Sequence, residues 1–353
     1  MALSDRENYL RTVTMTGGEW VPMHFAISGA TWNQLRDDLE DVLARHPRFF
    51  PRFEKGKQDW DALEYRERQR AGANYVDNYG CVWHGEIDGI TGIVSGHPLA
   101  DWDALETYHM PNPRTQLPLG DVDWEQTRRR VAEAKERGAL TVGGLEHGWL
   151  FLRLYYLRGF ENLMMDMATE DPRLDRLIDM IVQYSGYIVR QHIEMGVDVF
   201  HFPEDLGAQH ASVIGPKGFE RWIAPAYRAL MQPCREAGIH VHTHSDGYIM
   251  DIVDNILACG VNIINLQDLL NGLDDIEREL KGRVCVDLDI DRQSVVPFGT
   301  RQEIFDLIEE EVRRLGSAQG GLTMVVGFYP PTPAENVDAV ISALERYQRY
   351  WWD

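Results

Sequence analysis

From residue 139 onward the chain repeats one order: a helical apolar pattern, a glycine, then a short β-like run that ends in polar residues. That alternation demands a parallel sheet, because parallel neighbours must be joined by a crossover that is usually a helix. Strands are expected at Ala139 to Val142, Val197 to Phe202, Ile239 to Thr243, Val261 to Asn265, Val284 to Asp287 and Leu322 to Val326. Gly196, Gly238, Gly260 and Gly316 punctuate the helix ends before the next strand. Thr300-Arg-Gln-Glu303 and Thr332-Pro-Ala-Glu335 read as capping boxes ahead of two strongly amphipathic helices. The regularity favours a closed (β/α)8 TIM barrel, an α/β fold, over an open sheet.

The first half is less regular. Trp20 to Ile27 reads as the first barrel strand and Trp32 to Leu43 as an amphipathic helix. Residues 44–138 are rich in Trp and Tyr and are broken by Pro51, Pro98, Pro111, Pro113 and Pro118. They read as irregular and helical decorations of the barrel mouth, so residues 1–353 form one barrel domain with additions at the amino terminus and mouth. The aromatic segments can line a pocket or a homodimer interface.

With 35 basic against 56 acidic residues the formal charge is −21, which argues against nucleic acid and against an anionic membrane as partners. Cys81, Cys234, Cys259 and Cys285 form no CxxC pair, the pattern of a reducing compartment. The amino terminus is polar and no apolar run is long enough to span a bilayer, so a cytoplasmic protein is expected.

The chemistry-bearing residues gather at strand ends. His240-Val-His-Thr-His-Ser-Asp-Gly247 puts three imidazoles on one face of a strand, with His240 deepest in a barrel and His244 nearest its mouth. His242 and His244 are the candidate metal ligands, with Asp246 a ligand or the group that orients an imidazole. One or two satisfied core histidines with only the outermost functional is the competing reading. In Phe202-Pro-Glu204-Asp205, Glu204 is the favoured functional carboxylate and Asp205 reads as a turn residue. Glu204, His244 and Asp246 form the expected catalytic set, and His242, His244, Glu204 and Asp246 the expected metal set, a mixed N/O site suited to zinc.

Substrate contacts are expected from His24 on the first strand and from His147, Trp149, Gln209, Gln267, Asp287 and Tyr329 at strand ends or in the loops that follow them. Core packing competes for Trp149, and helix capping competes for the aspartates at 287, 289 and 291. There is no glycine-rich phosphate loop, GxSxG elbow or HExxH motif.

Taken in order, Arg158-Gly-Phe-Glu-Asn162, Asp198 to Gln209, Gly215-Pro-Lys-Gly-Phe219, His244-Ser-Asp-Gly247 and Thr332-Pro-Ala-Glu-Asn336 resemble the uroporphyrinogen decarboxylase superfamily. The resemblance implies a (β/α)8 barrel with its site at the carboxyl-terminal mouth, and leaves the reaction open. Members of the decarboxylase branch carry an arginine-rich amino-terminal segment; the matching Val21 to Ser28 has no arginine. The corrinoid-linked methyltransferase branch holds zinc with a His-x-Cys-Gly motif and a later cysteine, and His244-Ser-Asp-Gly247 is similar, with Asp246 in place of the cysteine. No cysteine stands near Gly327, so Glu204, His242 or Tyr329 would complete the ligand set. The resemblance thus implies O-demethylation of a small methylated substrate, such as a methoxylated aromatic, with a partner protein's Co(I) corrinoid taking the methyl group. Two other readings stand beside it. One is a metal-independent decarboxylase of a carboxylated small molecule or tetrapyrrole, with Asp287 or His244 as acid and base. The other is a non-catalytic barrel that binds a corrinoid or tetrapyrrole.

Overall fold

A computed structural model describes residues 3–353; Met1 and Ala2, which begin the polar amino-terminal segment, lie outside the described residues. Seven strands carry the barrel pattern: β1 Met23–Ile27, β2 Val142–Gly144, β3 Val199–Glu204, β4 His240–Ser245, β5 Ile263–Gln267, β6 Cys285–Asp289 and β7 Leu322–Phe328. Helices follow them in the alternation of the (β/α)8 class. Between Arg45 and Val142 the chain contributes five short strands, two 3-10 turns and the helix Trp124–Glu136. No helix among the described residues is long and apolar enough to cross a membrane.

From β2 to β6 the strands begin later than the sequence pattern suggests and run further. β3, β4, β5 and β6 continue to Glu204, Ser245, Gln267 and Asp289, where polarity alone would end them. Parallel ladder hydrogen bonds hold these residues in the strand, since pairing depends on the backbone and not on side-chain polarity. Polar residues thereby stand on rigid backbone at the strand ends.

The fold divides into two compact units. The first takes residues up to Asn74, with His84–Ile93 and Gln267–Asp353. In it β7 pairs in parallel with β1, Met324 opposite Met23, and with β6, Leu322 opposite Val286. The helices Gly29–Arg45, Arg301–Leu315 and Ala334–Tyr347 bury Leu39, Ile304, Ile308, Val337 and Ile341 completely. Each such side chain stabilises the fold by about 1.5–3 kcal/mol relative to exposure. The capping box at Thr300 forms: the Glu303 N–H donates to Thr300 Oγ1 at 3.3 Å and the Thr300 N–H to Glu303 Oε2 at 2.7 Å. The one expected at Thr332 does not form. Pro333 is the cap, so Glu335 falls one position too early to reach back, and Thr332 is buried. Asn336 ties that helix down instead, donating to the carbonyls of Val296 and Gly299.

The second unit comprises Tyr75–Trp83 and Val94–Leu266. In it β3 lies between β2 and β4, all parallel, and β4 continues to β5. The helix Pro172–Met195 opens on Asp171, whose side chain accepts from the Arg173 N–H, and closes on Gly196 in the left-handed conformation. All four thiols are free and buried.

Candidate active site and metal centre

Strand parity in the second unit sorts the polar residues. On β3, Phe200, Phe202 and Glu204 share the face toward the helices, while His201 and Pro203 share the opposite face with His242 and His244 of β4. His201 and His242 are cross-strand partners whose rings stack 4.1 Å apart. Two residues beyond Pro203, Asp205 continues the histidine-bearing face and meets His244, its Oδ1 lying 3.6 Å from His244 Nε2.

Two loops are locked together to make this meeting. Gly207 and Gly247 touch backbone to backbone: a Cβ on Gly247 would lie 2.2 Å from the Gly207 carbonyl carbon, and one on Gly207 would lie 2.4 Å from that of Gly247. No residue with a side chain fits such an approach. Across the contact the Asp246 N–H donates to Asp205 Oδ1 at 3.1 Å, the Gly207 N–H to the Asp246 carbonyl at 3.2 Å, and the Leu206 N–H to Ser245 Oγ at 2.8 Å. The sequences Glu-Asp-Leu-Gly and His-Ser-Asp-Gly thus act as a matched pair.

A third loop, after β2, brings His147. It is tied to β3 by the Leu145 N–H to the His201 carbonyl and the Gly148 N–H to the Pro203 carbonyl, both 3.0 Å. His147 Nε2 then stands 3.2 Å from Asp205 Oδ1, and its ring lies 5.6 Å from that of His244. Asp246 Oδ1 also approaches His244 Nε2, at 3.7 Å, while on the other side of the ring Asn265 Oδ1, from the neighbouring β5, meets Nδ1.

Burial works to lower the pKa of His244, but the hydrogen bond it donates to Asp205, the charge of Asp246 and the bond to Asn265 outweigh it and push the imidazole up to about 9. His147 is raised by its hydrogen bond to Asp205, again against burial. Burial works to raise Asp205, yet the two histidines hold its carboxyl far below the usual carboxylate range. At neutral pH the Asp205 carboxylate faces a protonated His244, with His147 hydrogen-bonded to the same oxygen.

The same side chains suit a metal ion. One donor atom from each of His147, Asp205 and His244 lies within 4.8 Å of the others. Ligands about 2.0–2.1 Å from a tetrahedral zinc stand about 3.3 Å apart, and the separations of 3.2 and 3.6 Å at Asp205 are close to that edge. A cation would enter by displacing the imidazole protons.

The cluster differs from the expected metal set at two positions. Glu204 is fully buried, and its carboxylate accepts the N–H groups of Leu150, Phe151 and Leu152, the last two at 2.9 and 3.2 Å. It caps the helix Phe151–Arg158 from a neighbouring strand; burial, against the N–H bonds, pushes its carboxyl up to about 7. His242 is buried in the stack with His201. Asp205 and His147 are the side chains that the fold brings to His244 instead. Parity with Phe200 and Phe202 was the available signal for Glu204, and parity with His201 for Asp205.

Among the expected substrate contacts, Trp149 is fully buried against Tyr227 and Phe202, so it is a core residue. Gln209 is exposed in the loop after β3. His24, Gln267, Asp287 and Tyr329 belong to the first unit. There His24 is exposed on β1, Gln267 is buried with its carbonyl accepting from Asn271, and Tyr329 lies under Arg292. Asp287 accepts from Thr323 Oγ1 at 2.6 Å, near the amino-terminal end of β7 and away from the strand ends that carry sites in barrels. The aspartates at 287, 289 and 291 do separate work, for Asp289 pairs with Arg292 and Asp291, beyond the strand, caps the turn at Ser294 and Val295.

Residues 91–347 match the family profile described as uroporphyrinogen decarboxylase (URO-D). Two curated proteins, uroporphyrinogen decarboxylases from Solibacter usitatus and Nostoc punctiforme, are 24% and 23% identical over 54% and 68% of this chain. The matched stretches span 53% and 66% of those relatives' own lengths. The solved structure of a methyltransferase from Methanosarcina mazei is similar over 98% of this chain and 99% of its own, with a TM-score of 0.63 and 15% identity, a likeness of fold.

Proposed function

The chain belongs to the uroporphyrinogen decarboxylase family, and we propose that within it the chain is a cytoplasmic methyltransferase, moving a methyl group from a small O-methylated substrate to a corrinoid on a partner protein. The observation that carries this reading is the His147, Asp205 and His244 donor set, with Asp246 beside it. Nitrogen and carboxylate oxygen are hard ligands, suited to a cation that faces an ether oxygen rather than a thiolate. A bound zinc ion would supply Lewis acidity that stabilises the negative charge left on that oxygen.

The residues themselves do the rest. His147, Asp205 and His244 would hold the ion, and the fold similarity to a methyltransferase agrees with methyl transfer as the reaction. Asn265 fixes the His244 ring so that Nε2 faces the carboxylates. The Gly207 and Gly247 contact keeps Asp205 and Asp246 in place. The methyl carbon leaves oxygen for the reduced corrinoid; the C–O electron pair stays on oxygen, which takes a proton from solvent.

A second reading rests on the same cluster without metal. An imidazolium with a pKa of about 9 is a proton donor at neutral pH, which suits protonation of a carbanion after decarboxylation. Incubation of the zinc-loaded protein with a panel of methoxyarenes and a reduced corrinoid protein separates the two. The proposal expects methylated corrinoid, formed by wild type and lost in His244→Ala. Carbon dioxide release from carboxylated substrates by metal-free protein, with no corrinoid methylation, would establish the decarboxylase instead.

A further inference from the structure

The first unit carries a second concave site, built entirely from residues 29–65. The helix Gly29–Arg45 presents Asp37, Glu40 and Asp41 on one side, spaced three and four residues apart as helix neighbours are. These three carboxylates clasp the loop that follows. Asp37 accepts from Trp60 Nε1 at 3.0 Å, Glu40, itself buried, accepts from the Gly56 N–H at 2.7 Å, and Asp41 pairs with Lys55. The helix departs from regular geometry at Arg36, with φ +46°, one residue before Asp37. Such a conformation is costly for a side-chain-bearing residue and persists only where its surroundings impose it.

The clasped loop borders an open cavity of about 550 Å³, inside the range of small-molecule sites. Its walls are Trp32, Phe53, Trp60 and Tyr65, all partly exposed. Trp32 and Trp60 lie nearly parallel, 5.7 Å apart, and Tyr65 is fixed by donating to the Gly29 carbonyl at 3.3 Å. The acidic side chains here are engaged: Asp37, Glu40 and Asp41 hold the loop, and Glu54 pairs with Lys57 at 3.2 Å. Arg52, which also lines the cavity, is exposed and makes no ion pair or hydrogen bond among the described residues. Ordered aromatic faces together with one uncommitted guanidinium select a ligand that is both planar and anionic, since guanidinium matches a carboxylate in a two-point fork.

We propose that this cavity binds an aromatic carboxylate, its ring against Trp60 and Trp32 and its carboxylate on Arg52. The proposal makes no use of the histidine cluster and stands or falls apart from it. Isothermal titration calorimetry of the full chain with 2-naphthoate, 2-naphthalenemethanol and cyclohexanecarboxylate tests it. Saturable binding of 2-naphthoate is expected, with both other probes weaker by about tenfold or more, the scale of one lost aromatic or charged contact. Trp60→Ala should weaken 2-naphthoate similarly, and Arg52→Ala should erase the preference for the acid over the alcohol. Arg52 is exposed and holds no hydrogen bond or ion pair among the described residues, so its variant carries the test even where Trp60→Ala loosens the loop. Absence of binding to wild type at millimolar 2-naphthoate, or binding unchanged in Arg52→Ala, would overturn the proposal.

Discussion

Replacing Gly247 by alanine tests how the site is assembled, because it changes no polar atom. Gly247 has φ +85°, and the new methyl carbon would start 2.2 Å from the Gly207 carbonyl carbon. The left-handed conformation costs a side-chain-bearing residue about 1–2 kcal/mol, and forced overpacking adds about 1–3 kcal/mol. With an unfolding entropy of about 2.1 cal/mol/K per residue, 353 residues give about 0.7 kcal/mol per degree, so a loss of about 2–5 kcal/mol lowers Tm by about 3–7 °C. The two loops must also part by about 1 Å to restore ordinary contact. That breaks the Gly207 N–H to Asp246 carbonyl bond and draws the Asp246 N–H away from Asp205. Loss of such outer partners lowers metal affinity by about 10- to 100-fold. Differential scanning calorimetry reads the first effect and zinc titration of the purified protein the second. An unchanged Tm with unchanged zinc affinity would refute the account of how Asp205 and Asp246 are brought together.

Three further outcomes follow from individual contacts. Glu204→Gln replaces one acceptor oxygen by a donor facing the N–H groups of Leu150 to Leu152; a stability loss of about 1–3 kcal/mol is expected by chemical denaturation. Asp205→Asn removes the partner that raises both histidines, so proton NMR of the metal-free protein should show His244 titrating well below its wild-type value of about 9. In the first unit Glu311 is fully buried beside Asp268, and burial, then the charge of Asp268, hold its carboxyl well above the ordinary 4.5. A raised carboxyl pKa adds stability that is complete below 4.5 and is lost as pH rises through the folded value. The wild-type Tm should therefore fall toward alkaline pH and that of Glu311→Gln should fall less; equal falls would contradict the assignment.

The helix and strand alternation was legible because apolar periodicity and helix-ending glycines are local signals. The strand ends were not, since Glu204, Ser245 and Asp289 stay in the ladder through backbone pairing that side-chain polarity does not report. His244 and Asp246 were found from the strand that carries them. Asp205 was passed over for Glu204 because adjacent carboxylates at a strand end look alike until parity is counted from His201. That His147 joins the same cluster is not legible in the sequence, because its position depends on hydrogen bonds to β3 from a loop more than fifty residues earlier in the chain. The closure at Gly207 and Gly247 is likewise a long-range contact between two short motifs, and neither motif alone shows it.

X-ray absorption of the zinc-loaded protein at the metal edge tests the central claim most directly. The account predicts one ion per chain with a shell of only nitrogen and oxygen at about 2.0–2.1 Å and the scattering signature of two imidazoles. A sulfur neighbour at about 2.3 Å, or no stoichiometric zinc at all, would contradict it.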